Sequence, residues 1–145
     1  MIVSRKTGQV VWEYDGDYKG GLSGGHEAHM IKKGLPGAGN ILIFDNGSGS
    51  NHHLESYVLE VNPLSKEVVW VYDIGKDLFS KARGSVSRLP NGNTLISEDE
   101  TARILEVTSG KEVVWEFAGK SFGFTHGTRA SKHGLDYCKN FKDLN

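Results

Sequence analysis

Apolar residues in this chain fall into short β-branched and aromatic runs broken by turns rich in Gly, Asn and Pro, a pattern that predicts strands. One run recurs. Gly8-Gln9-Val10-Val11-Trp12-Glu13-Tyr14 returns as Lys66-Glu67-Val68-Val69-Trp70-Val71-Tyr72 and again as Lys111-Glu112-Val113-Val114-Trp115-Glu116-Phe117. Each copy starts at a small residue (Gly8, Ser65 or Gly110), as a strand entered from a turn does. A second unit, Leu35-Pro36-Gly37-Ala38-Gly39-Asn40 followed by Ile41 to Phe44, corresponds to Leu89-Pro90-Asn91-Gly92-Asn93 followed by Thr94 to Ile96. Both read as hairpins in which Gly or Asn supplies a positive φ. A third unit pairs Tyr57-Val58-Leu59-Glu60-Val61 with Ala102-Arg103-Ile104-Leu105-Glu106-Val107.

Laid end to end, one copy predicts a four-stranded antiparallel meander: strand, Leu-Pro hairpin, strand, loop, Leu-Glu-Val strand, turn, Trp strand. Trp70 and Trp115 stand 45 residues apart, within the roughly 40–50 residues of a propeller blade. The expected fold is therefore an all-β partial β-propeller. It comprises the last strand of one blade over 8–15, a blade over 25–73, a second over 83–118, and a tail over 119–145. The tail reads either as a strand added to a neighbouring blade or as a loop with a short helix around Leu135 to Phe141. A propeller usually needs about four to eight blades to remove its edges, so a homo-oligomer that completes the ring is the expected assembly.

Charge and composition narrow the function classes. With 17 basic and 18 acidic residues, no electrostatic footprint points to nucleic acid or an anionic membrane. The abundance of Gly, 19 residues, suits many tight turns. The single cysteine, Cys138, gives neither an internal disulfide nor a Cys-based zinc site. The N-terminus runs straight into alternating strand residues and reads as neither signal peptide nor membrane span, so the expected location is the cytoplasm.

Histidines are the main candidates for chemistry. His26 and His29 open the first complete blade in Gly24-Gly25-His26-Glu27-Ala28-His29-Met30. On a regular strand, residues three apart face opposite sides, which argues against a shared metal unless the strand begins after His26. The alternative is one packed and one solvated histidine. His52 and His53 read as a solvated loop pair, and Asp45-Asn46-Gly47 as a strand-ending turn. Arg83, Arg88 and Arg129, each near the start of a unit, read singly as surface charges. No cofactor is implied.

Three segments together resemble the arylsulfotransferase-like propeller family: Gly24 to Ile31, Gly34 to Gly47 with its Phe44-Asp45-Asn46-Gly47 end, and Ser85 to Glu98. The segment Gly127 to Tyr137 is similar to the family's C-terminal end, which would make this chain the C-terminal half of a longer propeller. The resemblance implies transfer of a sulfuryl group from a phenolic sulfate ester to another phenol through a sulfohistidine. It assigns the nucleophile to His26 and places His29, Asp45, Asn46 or Arg88 near the reacting group. A neutral imidazole can attack sulfur, and the fixed donors would act as in phosphoryl transfer. The sequence departs from the family in three respects. Supporting histidines and an anion-binding arginine come from earlier blades that this chain lacks, Tyr57 stands after Ser56 where many relatives carry Arg, and an export signal is missing. The alternative function is a non-catalytic oligomeric propeller fragment that acts as a binding or structural module.

Overall fold

The computed structural model describes residues 1–47, 54–127, 129–134 and 137. Its strands are β1 (Ile2–Val3), β2 (Val10–Trp12), β3 (Gly25–Met30), β4 (Ile41–Asp45), β5 (Tyr57–Val61), β6 (Val68–Tyr72), β7 (Ser85–Arg88), β8 (Thr94–Glu98), β9 (Arg103–Val107) and β10 (Val113–Ala118). The expected meander forms twice, as antiparallel sheets of order β3-β4-β5-β6 and β7-β8-β9-β10. Residues 8–15 enter as the outer member of a pair, because Ile2 lies opposite Trp12. The molecule is thus all-β, two four-stranded sheets and a leading strand pair, and no sheet closes on itself: a partial propeller.

Register makes the repeat a physical one. Ile2, Glu60 and Glu106 stand opposite Trp12, Trp70 and Trp115 respectively. In every copy the ladder shifts immediately before the Trp, so the second valine (Val11, Val69 or Val114) is an extra residue that faces out. A bulge of this kind bends the strand and re-aims the next side chain. It explains why two adjacent valines precede each Trp although only one is needed inward.

The two cores lie between sheets. Leu42, Phe44, Val58 and Tyr72 of the first sheet meet Val86, Ile96, Leu105 and Val107 of the second. The opposite face of the first sheet, with Ile41, Ile43, Leu59 and Val61, packs against Trp12, Tyr14, Tyr18 and Leu22. Both faces of β4 and β5 are therefore covered, which is why their apolar runs are continuous. Each side chain of this size contributes about 1.5–3 kcal/mol when fully buried. At Gly84, φ is +113° and an added Cβ would lie 2.6 Å from the Phe44 ring. Close packing of the two sheets at this corner demands glycine on both counts.

In the Leu-Pro hairpins the positive φ values belong to Gly34, Gly37, Gly39 and Gly92, and not to the asparagines. Asn40 instead donates its side-chain amide to Glu60, at 2.6 Å, and Asn91 and Asn93 donate theirs to Glu106. The Leu-Pro-Gly-Asn turn and the Leu-Glu-Val strand are one hydrogen-bonded device within each sheet. After a 3-10 turn at Gly119–Phe122, described tail residues meet the outer face of the second sheet, where Ser97 Oγ donates to the Gly127 carbonyl and Lys132 to Glu106. The short helix expected around Leu135 to Phe141 lies largely outside the described residues.

Candidate functional site

β3 and β7 are the first strands of their sheets, and β7 lies against β3 and β4. Asp45 and Asn46, both buried, fix the entry to β3. Asp45 accepts backbone N–H bonds from Ser23 and Gly47, each at 2.9 Å. The side-chain amide of Asn46 donates to the carbonyls of Ser80 and Arg83 at 2.7 and 2.6 Å. Its backbone N–H donates to Gly24. These residues tie the start of β3 to the segment leading into β7, the structural role their Asp-Asn-Gly pattern suggests.

A second bulge falls at His26, between the pairs Gly25–Asp45 and Glu27–Phe44. From Glu27 onward the register is regular: Glu27 and His29 stand opposite Phe44 and Leu42 on the face toward the second sheet, and Ala28 and Met30 stand opposite Ile43 and Ile41 on the other face. His26 and His29 both border a cavity of about 610 Å³ with Trp12, Tyr14, Leu22 and Met30. His26 is exposed there. His29 is half-buried, and its Nδ1 is a buried atom without a hydrogen-bond partner, 3.6 Å from Glu27 Oε1. Burial holds the His29 pKa below the ordinary histidine value; Arg129 and Lys32 push the same way and Glu27 opposes them. Glu27 also accepts the Val86 N–H at 3.3 Å and the Arg129 guanidinium at 2.9 Å. Arg129, from the tail, thus stands 102 residues away in sequence and beside the strand that carries both histidines.

Arg88 belongs elsewhere. It is 8% exposed, donates to Glu60 Oε2 at 2.5 Å and to the Gly92 carbonyl, and lies over the Trp70 ring, 5.5 Å from its centroid. Its charge is neutralised inside the contact between the two sheets. Arg83 approaches Asp99 at 3.7 Å, and His126 Nδ1 lies 3.1 Å from the other oxygen of that carboxylate. Sequence reasoning missed this His–Asp pair and the contact of Arg129 with Glu27, because both depend on where the tail folds back. Asp99 occupies the position of Asn46 in its sheet, a correspondence the alignment of Ile41 to Asn46 with Thr94 to Asp99 makes readable. His52 and His53 lie outside the described residues, as does Cys138.

Among the described residues no group of three or more His, Cys, Asp or Glu gathers as a metal site, and no helix is long and apolar enough to cross a membrane. Comparison with curated proteins and with solved structures gives no match. The family model described as arylsulfotransferase (ASST) matches residues 1–122. That match takes in the leading strand pair and both four-stranded sheets and stops before the tail that carries Arg129. Family match, strand repeat and all-β architecture agree, and the chain belongs to the arylsulfotransferase family.

Proposed function

We propose that this chain transfers a sulfuryl group from a phenolic sulfate ester to a phenol through a histidine of β3. The observation that supports this reading best is the imidazole of His29, kept neutral by burial and facing the Glu27 carboxylate through Nδ1. A proton on Nδ1 leaves the Nε2 lone pair as the nucleophile, and a carboxylate on the Nδ1 side stabilises the charge that develops on attack. The 3.6 Å separation is long for a hydrogen bond, as is common before substrate binds. In the first step an N–S bond forms and the S–O bond to the aryl group breaks, the phenolate leaving with the electron pair. In the second, the acceptor phenol gives its proton to solvent, its oxygen attacks sulfur, and the N–S bond breaks to restore the imidazole. Arg129, exposed and beside Glu27, and Lys32, which also acts on His29, are the cations at hand for the sulfuryl oxygens.

His26, which the family resemblance favours, borders the same cavity, so the two histidines are separated by experiment. Release of nitrophenol from p-nitrophenyl sulfate in the presence of a phenol is measured for wild type, His26→Ala and His29→Ala. Loss of release in one variant assigns the nucleophile to that residue. Equal release by all three proteins, or none above background by wild type, removes the reaction.

One observation favours a second reading, a non-catalytic oligomeric binding module. Arg88 is neutralised by Glu60 and Arg129 is paired with Glu27, so neither arginine is left unopposed beside β3. In that case phenolic sulfates bind without turnover, which a titration in the absence of acceptor detects.

A further inference from the structure

The contacts between successive sheets obey one rule. Trp12 Nε1 donates to the Pro63 carbonyl at 2.8 Å, and Trp70 Nε1 donates to the Ser109 carbonyl at 2.8 Å. In each case the acceptor is the second residue of the turn joining the last two strands of the next sheet. These turns share a hydrogen-bond pattern: Asn62 N–H to Glu67 and Lys66 N–H to Asn62 in one, Thr108 N–H to Glu112 and Lys111 N–H to Thr108 in the other. The turn between β1 and β2 repeats it, with Ser4 N–H to Gln9 and Gly8 N–H to Ser4, each at 2.8 Å. Arg5 therefore stands where Pro63 and Ser109 stand.

Among the described residues, each end of the array of sheets presents half of this contact. At one end Trp115, 50% exposed, finds no acceptor for its indole N–H among the described residues. Among the described residues the tail supplies the inner part of a third contact: Lys132 bonds Glu106 as Arg88 bonds Glu60. A cavity of about 410 Å³ is left beside Trp115, Val114, Leu95 and Ile104. At the other end Val3 is 47% exposed, although its register counterparts Val61 and Val107 are fully buried. A valine that is buried in two copies of a repeat and exposed in the third marks a face shaped for a neighbour.

We propose that the Trp115 face docks the β1–β2 hairpin of a second copy of this chain, head to tail, with Trp115 Nε1 donating to the partner copy's Arg5 carbonyl. The two half-contacts are on one molecule and are complementary, so the association is heterologous and can propagate around a ring. It extends an interface already built twice within the chain, and it does not depend on catalysis.

Light scattering of the full chain after gel filtration is the first test; the mass expected is a multiple of 15.9 kDa. Val3→Glu spoils the hairpin face and Trp115→Ala spoils the Trp face. Both side chains are exposed in the single chain, and circular dichroism checks that each variant remains folded. Each variant alone should be monomeric. An equimolar mixture should form a dimer, because each supplies the half that the other lacks. A wild-type monomer at the highest soluble concentration overturns the proposal. So does an oligomer indifferent to both substitutions, or a mixture that stays monomeric, which would mean that the two faces do not meet each other.

Discussion

Replacing Arg88 with methionine tests how the two sheets are held together. Arg88 and Glu60 are both almost wholly buried and meet at 2.5 Å, with the guanidinium over Trp70. Removal of one member of a buried pair leaves the other as an uncompensated charge, a loss of about 3–5 kcal/mol. Glu60 keeps its bond from Asn40, which places Arg88→Met at the lower end, about 3 kcal/mol. An apolar pair occupies the same register positions in the preceding contact, where both side chains are exposed. In the preceding contact the register places Ile2 where Glu60 stands and Met30 where Arg88 stands. The double variant Glu60→Ile/Arg88→Met should therefore recover most of the loss and lie within about 1 kcal/mol of wild type, since well-packed apolar residues often replace a buried ion pair at little cost. Urea unfolding followed by tryptophan fluorescence measures all three proteins. An Arg88→Met loss below about 1 kcal/mol, or a double variant as unstable as the single one, would refute the reasoning.

Three further outcomes derive from the same geometry. Glu106, with Lys132, Asn93 and Asn91 as donors, has its pKa lowered from 4.5 to about 2. Its contribution is complete above pH 4.5 and is lost as pH falls toward 2, and Lys132→Ala, which removes a half-exposed partner, should cost about 1 kcal/mol at neutral pH. Gly84→Ala forces a Cβ into the Phe44 ring at a positive φ, so thermal unfolding should show a loss of at least about 2 kcal/mol. If His29 is the nucleophile, the acidic limb of the transfer rate has its midpoint below the ordinary histidine value of 6.5. Glu27→Gln removes the group that raises it and moves the limb down, and Arg129→Ala moves it up; a limb that does not move with either excludes His29.

The repeat was legible because each sheet uses the same side chains at the same register. Val-Val-Trp, Leu-Glu-Val and the Leu-Pro turn each marked a strand or hairpin, and all appear where those strings predicted. Bulges were not legible. Nothing in Gly24-Gly25-His26-Glu27 reveals the extra residue that interrupts the alternation at His26 and so changes its face relative to His29. Arg88 read as a surface charge or an anion contact because its partner Glu60 is 28 residues away and in another sheet. Its equivalence to Met30, with Glu60 aligned to Ile2, could have shown that the position faces a neighbouring sheet. The β1–β2 pair was hidden because β1 has only two residues, too few for a periodicity to register.

The claim that a β3 histidine carries the sulfuryl group is tested most directly by trapping it. The protein is mixed with p-nitrophenyl sulfate without acceptor, quenched, digested and examined by mass spectrometry. One sulfuryl group is expected on the peptide containing His26 and His29, absent from the variant lacking the nucleophile and discharged when a phenol is added before quenching. An unmodified peptide alongside measured nitrophenol release, or a sulfuryl group on a residue outside β3, would contradict it.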